Sequence, residues 1–205
     1  MTGNVSTPLK VTESSGKYSE ISGAILAGGK STRMGTDKAF LMLQGQAFIN
    51  IIVEKFKKLF KTVFIVADEQ KKFIQAGVPV IPDIYKECGP LGGIHAALRY
   101  SPASHIFIAP CDTPLISTDL IQYLITSAKP NEITIGQANE RIHPLFGVYP
   151  CSAVTIIEQY LNDGKRKVLD VFNEVPHSIL SLVHWSNELY NVNDSEEYSR
   201  TLHQQ

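Results

Sequence analysis

The chain has 205 residues, 43% of them hydrophobic and 19% charged, ordinary globular usage with enough apolar mass for one sizeable core. Its formal net charge of −1, with no basic block denser than Lys165-Arg166-Lys167, argues against a nucleic-acid partner. No apolar run approaches the roughly 20 residues that cross a bilayer. Cys88, Cys111 and Cys151 are too scattered for a disulfide framework or a zinc knuckle, which favours a reducing cytoplasm.

Met1–Glu20 is rich in Ser, Thr and Gly and lacks an apolar h-region, so it reads as a disordered tail ahead of a single domain over residues 21–205. Ile21–Leu26 reads as a buried strand, with Gly23 and Ala24 allowing close packing on both faces. Ala27, Gly28 and Gly29 end it. Their peptide N–H groups carry little side-chain cover and can turn toward anionic oxygens, while Lys30, Arg33 and Lys38 add positive charge around the same hollow. Gly29-Lys30-Ser31 resembles the tail of a Walker A loop, but Ala24 stands where that motif needs its first glycine, and Gly23 is one residue too early. A solvated turn with incidental lysines is the plain alternative.

Beyond the loop, apolar runs alternate with amphipathic stretches. Phe48–Phe60 places Ile51, Ile52, Phe56, Leu59 and Phe60 at helical spacing, and Thr62–Ala67 follows as a short, doubly buried strand. Glu69–Ala76 reads as a helix ending at Gly77, and Val80–Pro82 as a strand with Asp83 just past its end. Gly89–Gly93 (GPLGG) reads as a rigid loop of low bulk before a helix over Leu91–Tyr100, a place suited to an anionic ligand. His105–Ala109 is the next strand, and Leu120–Ala128 a helix capped by Ser117 or Thr118. This alternation predicts a three-layer, Rossmann-like α/β fold, a mostly parallel sheet with helices on both faces.

Ligands of such sheets sit off the carboxyl ends of the strands. The glycine loop, Asp83 and Cys111-Asp112-Thr113-Pro114 should therefore converge on one edge. Asp112 is the candidate ligand for Mg²⁺, a hard cation that prefers oxygen donors and keeps several waters; capping the turn or the following helix is its alternative role. His95, His105, His177 and His184 show no zinc spacing and read as packing or surface residues, and His143 has no evident catalytic partner.

The ordered set LAGGKSTRMGTDK, IPD, GPLGG, CDTP, HPLFGVYP and NVND, spread from Ile21 to Leu202, resembles the molybdenum cofactor guanylyltransferases of the MobA type. The first motif alone is shared with other nucleotidyltransferases, so a related cytidylyl- or sugar-phosphate enzyme stays open, as does a non-catalytic nucleotide-binding adaptor. The resemblance implies that Leu26, Ala27, Gly28 and Gly29 line the guanine nucleotide, that Lys38 and Arg33 meet its phosphates, that Asp83 contacts the nucleoside, and that Asp112 holds Mg²⁺. It implies a molybdopterin side formed by Gly89, Gly93, Arg166, Asn191 and Asn193. It also implies GTP and molybdopterin as substrates, with contact to other cofactor-assembly proteins. One departure stands out: Val66 replaces the asparagine that some members carry near the nucleoside, leaving backbone or a neighbour such as Asp68 to supply that hydrogen bond. The implied chemistry needs no protein nucleophile, only positioning and charge stabilisation.

Overall fold

Ile21–Leu26 (β1) has no exposed residue, and it lies inside a seven-stranded sheet flanked on both sides by parallel partners. The other strands are Val63–Val66 (β2), Val80–Ile81 (β3), His105–Pro110 (β4), Ile133–Ala138 (β5), Arg141–Pro150 (β6) and His177–Ser181 (β7), in the order β7-β5-β6-β4-β1-β2-β3. Every neighbouring pair is parallel except those of β6, which runs against both β4 and β5. The computed structural model describes residues 11–12, 16–28, 37–189, 192 and 198.

Among the described residues, four α-helices cover the two faces: Phe48–Leu59 (α1), Gly89–Tyr100 (α2), Thr118–Ser127 (α3) and Val154–Asn162 (α4). Side chains alternate across a strand, so Ile21 and Ile25 join α1 and α3 in one apolar layer, while Ala24 and Leu26 join α2 and α4 in the other. Gly23 decides how near α1 can come. A Cβ there would stand 2.6 Å from the rings of both Phe56 and Phe60, so the missing side chain lets those rings rest on the sheet.

Two elements differ from their sequence-based outlines, a third has its cap decided between two candidates, and one hairpin has no outline in the sequence. Gly89–Gly93 is not a loop before a helix but the opening of α2, because Pro90 carries the φ a first turn needs and lacks only an N–H that has no helical partner there. Gln70–Ala76 is a three-ten helix, since so short a connection between strands gives little room to propagate an α-helix. Ser117, not Thr118, caps α3, its Oγ accepting from Leu120 N at 3.1 Å. The β5–β6 hairpin turns through Asn139 and Glu140, both at positive φ, without the Asn-Gly signal that usually betrays such a turn. Part of the expected tail is also folded: Tyr18 is buried, and its carbonyl accepts from Lys61 N at 3.0 Å.

The register of the parallel strands prepares a single edge. Ile81, Val66, Leu26 and Pro110 stand abreast on β3, β2, β1 and β4. The ladder runs one step further through Ala67 N to Ile81 O (2.9 Å), Ala27 N to Val66 O (2.9 Å) and Cys111 N to Leu26 O (3.0 Å). Whatever follows these residues leaves the sheet along one line.

Candidate active site

Asp112 and Asp83 mark the two ends of that line. Three inter-strand spacings of about 4.8 Å separate β4 from β3, so the two strand ends lie roughly 14 Å apart, the scale of an extended nucleotide. Gly28 lies between them, exposed, with no atom within 4 Å of where a Cβ would stand. The amide of Ala27 donates to Val66, so the sheet and not a ligand takes that N–H; amides turned toward an anion must begin at Gly28.

Lys38 opens a three-ten turn, Lys38–Phe40, whose start is capped by Asp37, with Asp37 Oδ1 accepting from Ala39 N at 3.2 Å. Lys72 Nζ lies 3.7 Å from the other oxygen of Asp37. This bracket delivers the Lys38 ammonium to Asp112, where Nζ stands 3.5 Å from Oδ2. A solvent-touched ion pair of that length is worth on the order of 0–1 kcal/mol, weak enough for the ammonium to be passed to a phosphate.

The turn that carries Asp112 is well braced. Thr113 is buried and its Oγ1 donates to Pro110 O at 3.0 Å; the Asp112 carbonyl accepts from Val192 N at 3.1 Å. Burial first, then the charge of Asp112, pushes the neighbouring Cys111 thiol far above the ordinary thiol range. Among the described residues no three His, Cys, Asp or Glu side chains gather as a metal nest. A carboxylate at a strand end fits a hard cation that arrives with phosphate oxygens and keeps its waters, as Mg²⁺ does.

At the other end, a Cβ on Gly93 would lie 3.7 Å from Asp83 Oδ1, and one on Gly92 4.0 Å from Oδ2, so this carboxylate rests on the opening turns of α2. Burial, and then the charge of Asp68, raises its pKa, while Lys86 opposes them. Asp68 Oδ1 accepts from Asp83 N at 3.2 Å and also pairs with Lys86, so the neighbour offered as a substitute for the missing asparagine braces the Asp83 loop. Gly89 stands exposed at the helix start with φ 61°, and Gly93 is buried against Leu26. Arg166 follows the end of α4, where Nη1 donates to Leu161 O (2.9 Å) and Lys165 O (2.8 Å). That end of α4 is tied to the Asp83 side by Tyr85, whose hydroxyl donates to Asn162 Oδ1 at 2.9 Å.

The structure thus joins Lys38 to Asp112, and Asp83 to Gly93, along one edge. Gly29, Arg33, Asn191 and Asn193 lie outside the described residues. Sequence reasoning passed over Asp37, whose place one residue before a short helical turn is a capping signal. It also passed over the bond from Lys55 Nζ to Pro114 O, 2.7 Å long and 59 positions apart, for which no local pattern exists.

A domain model described as "MobA-like NTP transferase domain" matches residues 23–178. The chain is 36% identical over 152 residues to a molybdenum cofactor guanylyltransferase of Yersinia pseudotuberculosis, covering 73% of this chain and 78% of that one. It is 31% identical over 185 residues to the molybdenum cofactor guanylyltransferase of Vibrio cholerae, covering 89% and 91%. Its fold matches that of molybdopterin-guanine dinucleotide biosynthesis protein A from Archaeoglobus fulgidus with a TM-score of 0.74 at 22% identity, covering 89% of this chain and 97% of that one. With that match over most of its length and a carboxylate and an ammonium meeting where such sheets bind nucleotides, the chain belongs to the MobA-like NTP transferase family.

Proposed function

We propose that this chain transfers GMP from GTP to the terminal phosphate of molybdopterin, giving molybdopterin guanine dinucleotide and pyrophosphate, with Mg²⁺ as the metal. The observation that carries the reading is the 3.5 Å approach of Lys38 to Asp112 at the carboxyl end of β4, joined to the family membership. An oxygen of the acceptor phosphate attacks the α-phosphorus, the bond from that phosphorus to the bridging oxygen breaks, and pyrophosphate departs. Held by Asp112, the metal would draw charge from the phosphate oxygens. Lys38 leaves Asp112 for the phosphates as the nucleotide enters, and Arg33 adds a second cation. Leu26, Ala27, Gly28 and Gly29 line the nucleotide. Asp83 fixes the nucleoside roughly 14 Å away along the edge.

Gly89, Gly93, Arg166, Asn191 and Asn193 take the acceptor in this reading. The same reading places a single nucleotidyltransferase domain over residues 21–205 in the cytoplasm, exchanging molybdopterin with other assembly proteins. Among the described residues no helix is long and apolar enough to cross a membrane. Pyrophosphate release from GTP, CTP, ATP and UTP, with molybdopterin as acceptor and Mg²⁺ present, tests the assignment. GTP alone should support turnover; preference for CTP would move the chain to a cytidylyl activity, and no release from any of the four would end the enzymatic reading.

A further inference from the structure

Asp112 sits on a segment, residues 111–117, that leaves the sheet after the bond from Cys111 N to Leu26 O and reaches the N-cap of α3. Thr113 and Val192 hold its start, and two charged side chains hold the stretch beyond. Lys55, in the third turn of α1, is half-buried and donates from Nζ to Pro114 O at 2.7 Å, two residues beyond Asp112. Glu188, from the segment after β7, accepts from Ser117 N through Oε2 at 2.7 Å. The backbone of Glu188 is itself anchored, its N–H donating to Trp185 O at 2.9 Å. Burial lowers the pKa of Lys55, the charge of Glu188 opposes that shift, and the charge of Lys58 adds to it.

We infer that Lys55 and Glu188 are positioning residues that clamp the 111–117 segment at two points and thereby set the place of the Asp112 carboxylate, and with it the affinity for the metal. The clamp acts on backbone: Lys55 holds a carbonyl and Glu188 an amide, so neither depends on which side chain stands at Pro114 or Ser117. A bond that fixes the backbone beside a metal-binding carboxylate sets where that carboxylate can stand. The inference rests on the reading of Asp112 as the metal ligand.

The test uses the full chain and the variants Lys55→Met, Lys55→Arg and Glu188→Gln. Mn²⁺ binding is followed by electron paramagnetic resonance of the free ion with GTP present and no acceptor, beside half-saturating Mg²⁺ and kcat for pyrophosphate release, and the melting temperature. Lys55→Met should weaken Mn²⁺ binding about tenfold or more, the usual scale for an outer support of a metal site. Half-saturating Mg²⁺ should rise in step while kcat at saturating Mg²⁺ changes little, and Lys55→Arg should restore both. Glu188→Gln keeps an oxygen for Ser117 and removes the charge beside Lys55, so a smaller shift in the same direction is expected even if Lys55→Met does not fold. Unchanged Mn²⁺ affinity in the soluble variants, with only the melting temperature lowered, refutes the clamp. Wild-type protein that binds no Mn²⁺ with GTP refutes the reading of Asp112 first, and the clamp with it.

Discussion

Gly92 and Gly93 are adjacent, buried, and both inside α2, so alanine at either position adds the same methyl group and the same helix preference of about 1 kcal/mol. What differs is the surroundings. At position 92 the new carbon would stand 2.9 Å from the Tyr85 carbonyl oxygen and 3.1 Å from Cys88 Cβ, atoms fixed to the main chain. At position 93 it would meet Leu26 Cδ2 at 3.4 Å and Asp83 Oδ1 at 3.7 Å, ordinary contacts with side-chain ends. Overpacking of the first kind costs about 1–3 kcal/mol. Gly93→Ala should therefore be more stable than wild type, and more stable than Gly92→Ala by about 1–3 kcal/mol. At about 2–4 °C per kcal/mol for a domain of this size, the two variants should melt roughly 2–12 °C apart by circular dichroism. Because its methyl borders Asp83, Gly93→Ala should also raise KM for GTP while gaining stability, a split that global damage does not produce. A Gly92→Ala protein melting at or above Gly93→Ala would refute the packing described around Asp83.

Lys38→Ala and Asp112→Ala should each lower kcat by on the order of 10²–10³, about 2.7–4 kcal/mol of transition-state stabilisation, with melting temperatures near wild type; near-normal turnover in either purified variant would remove that residue from the mechanism. Ser117→Ala deletes the Oγ that accepts from Leu120 N and should destabilise the fold by about 1 kcal/mol, read from urea denaturation, while leaving the amide that meets Glu188. His95 is buried against the ring of Tyr85, and burial lowers its pKa below the usual 6.5, with Glu158 pulling the other way. The unfolded chain then binds the extra proton more readily, so stability should fall as pH drops below about 6.5 and hold above it. His95→Leu should flatten that fall in melting temperature between neutral and mildly acidic pH; an equal fall in both proteins would assign the effect to other groups, His143 among them, whose pKa is lowered in the same direction.

Elements with one clear period were legible from the sequence. α1 matches its sequence-based outline closely because Ile52, Phe56 and Leu59 recur at helical spacing, although Ile49 and Val53 complete the helix's buried face in place of Ile51 and Phe60, and β1, β2 and β4 match because strands covered on both faces read as unbroken apolar runs. That Gly28, Asp83 and Asp112 share an edge followed from the alternation alone, since parallel strands send all their carboxyl ends one way. GPLGG was misread because glycine and proline signal a loop by frequency, and only tertiary contact with Tyr85 and Leu26 shows why small residues stand in a helix there. The reversed strand β6 carries Pro144 and a register shift between His143 and Gly147, which break the alternation a strand should display. The support of Asp112 by Lys55, Glu188 and Val192 joins residues far apart in the chain, and no window of sequence contains it.

In an all-parallel sheet the strands bring only their carboxyl ends to the rim. Here the reversal of β6 carries the tip between Ala138 and Arg141 up to the level of Asp112, and sends α4 back so that its final residues arrive at the same rim. Asn139 and Glu140 are exposed at that tip. Extra residues spliced in there would lengthen the rim on the Asp112 side without disturbing the four aligned strand ends, so one half of the rim is free to diversify while the other stays constant.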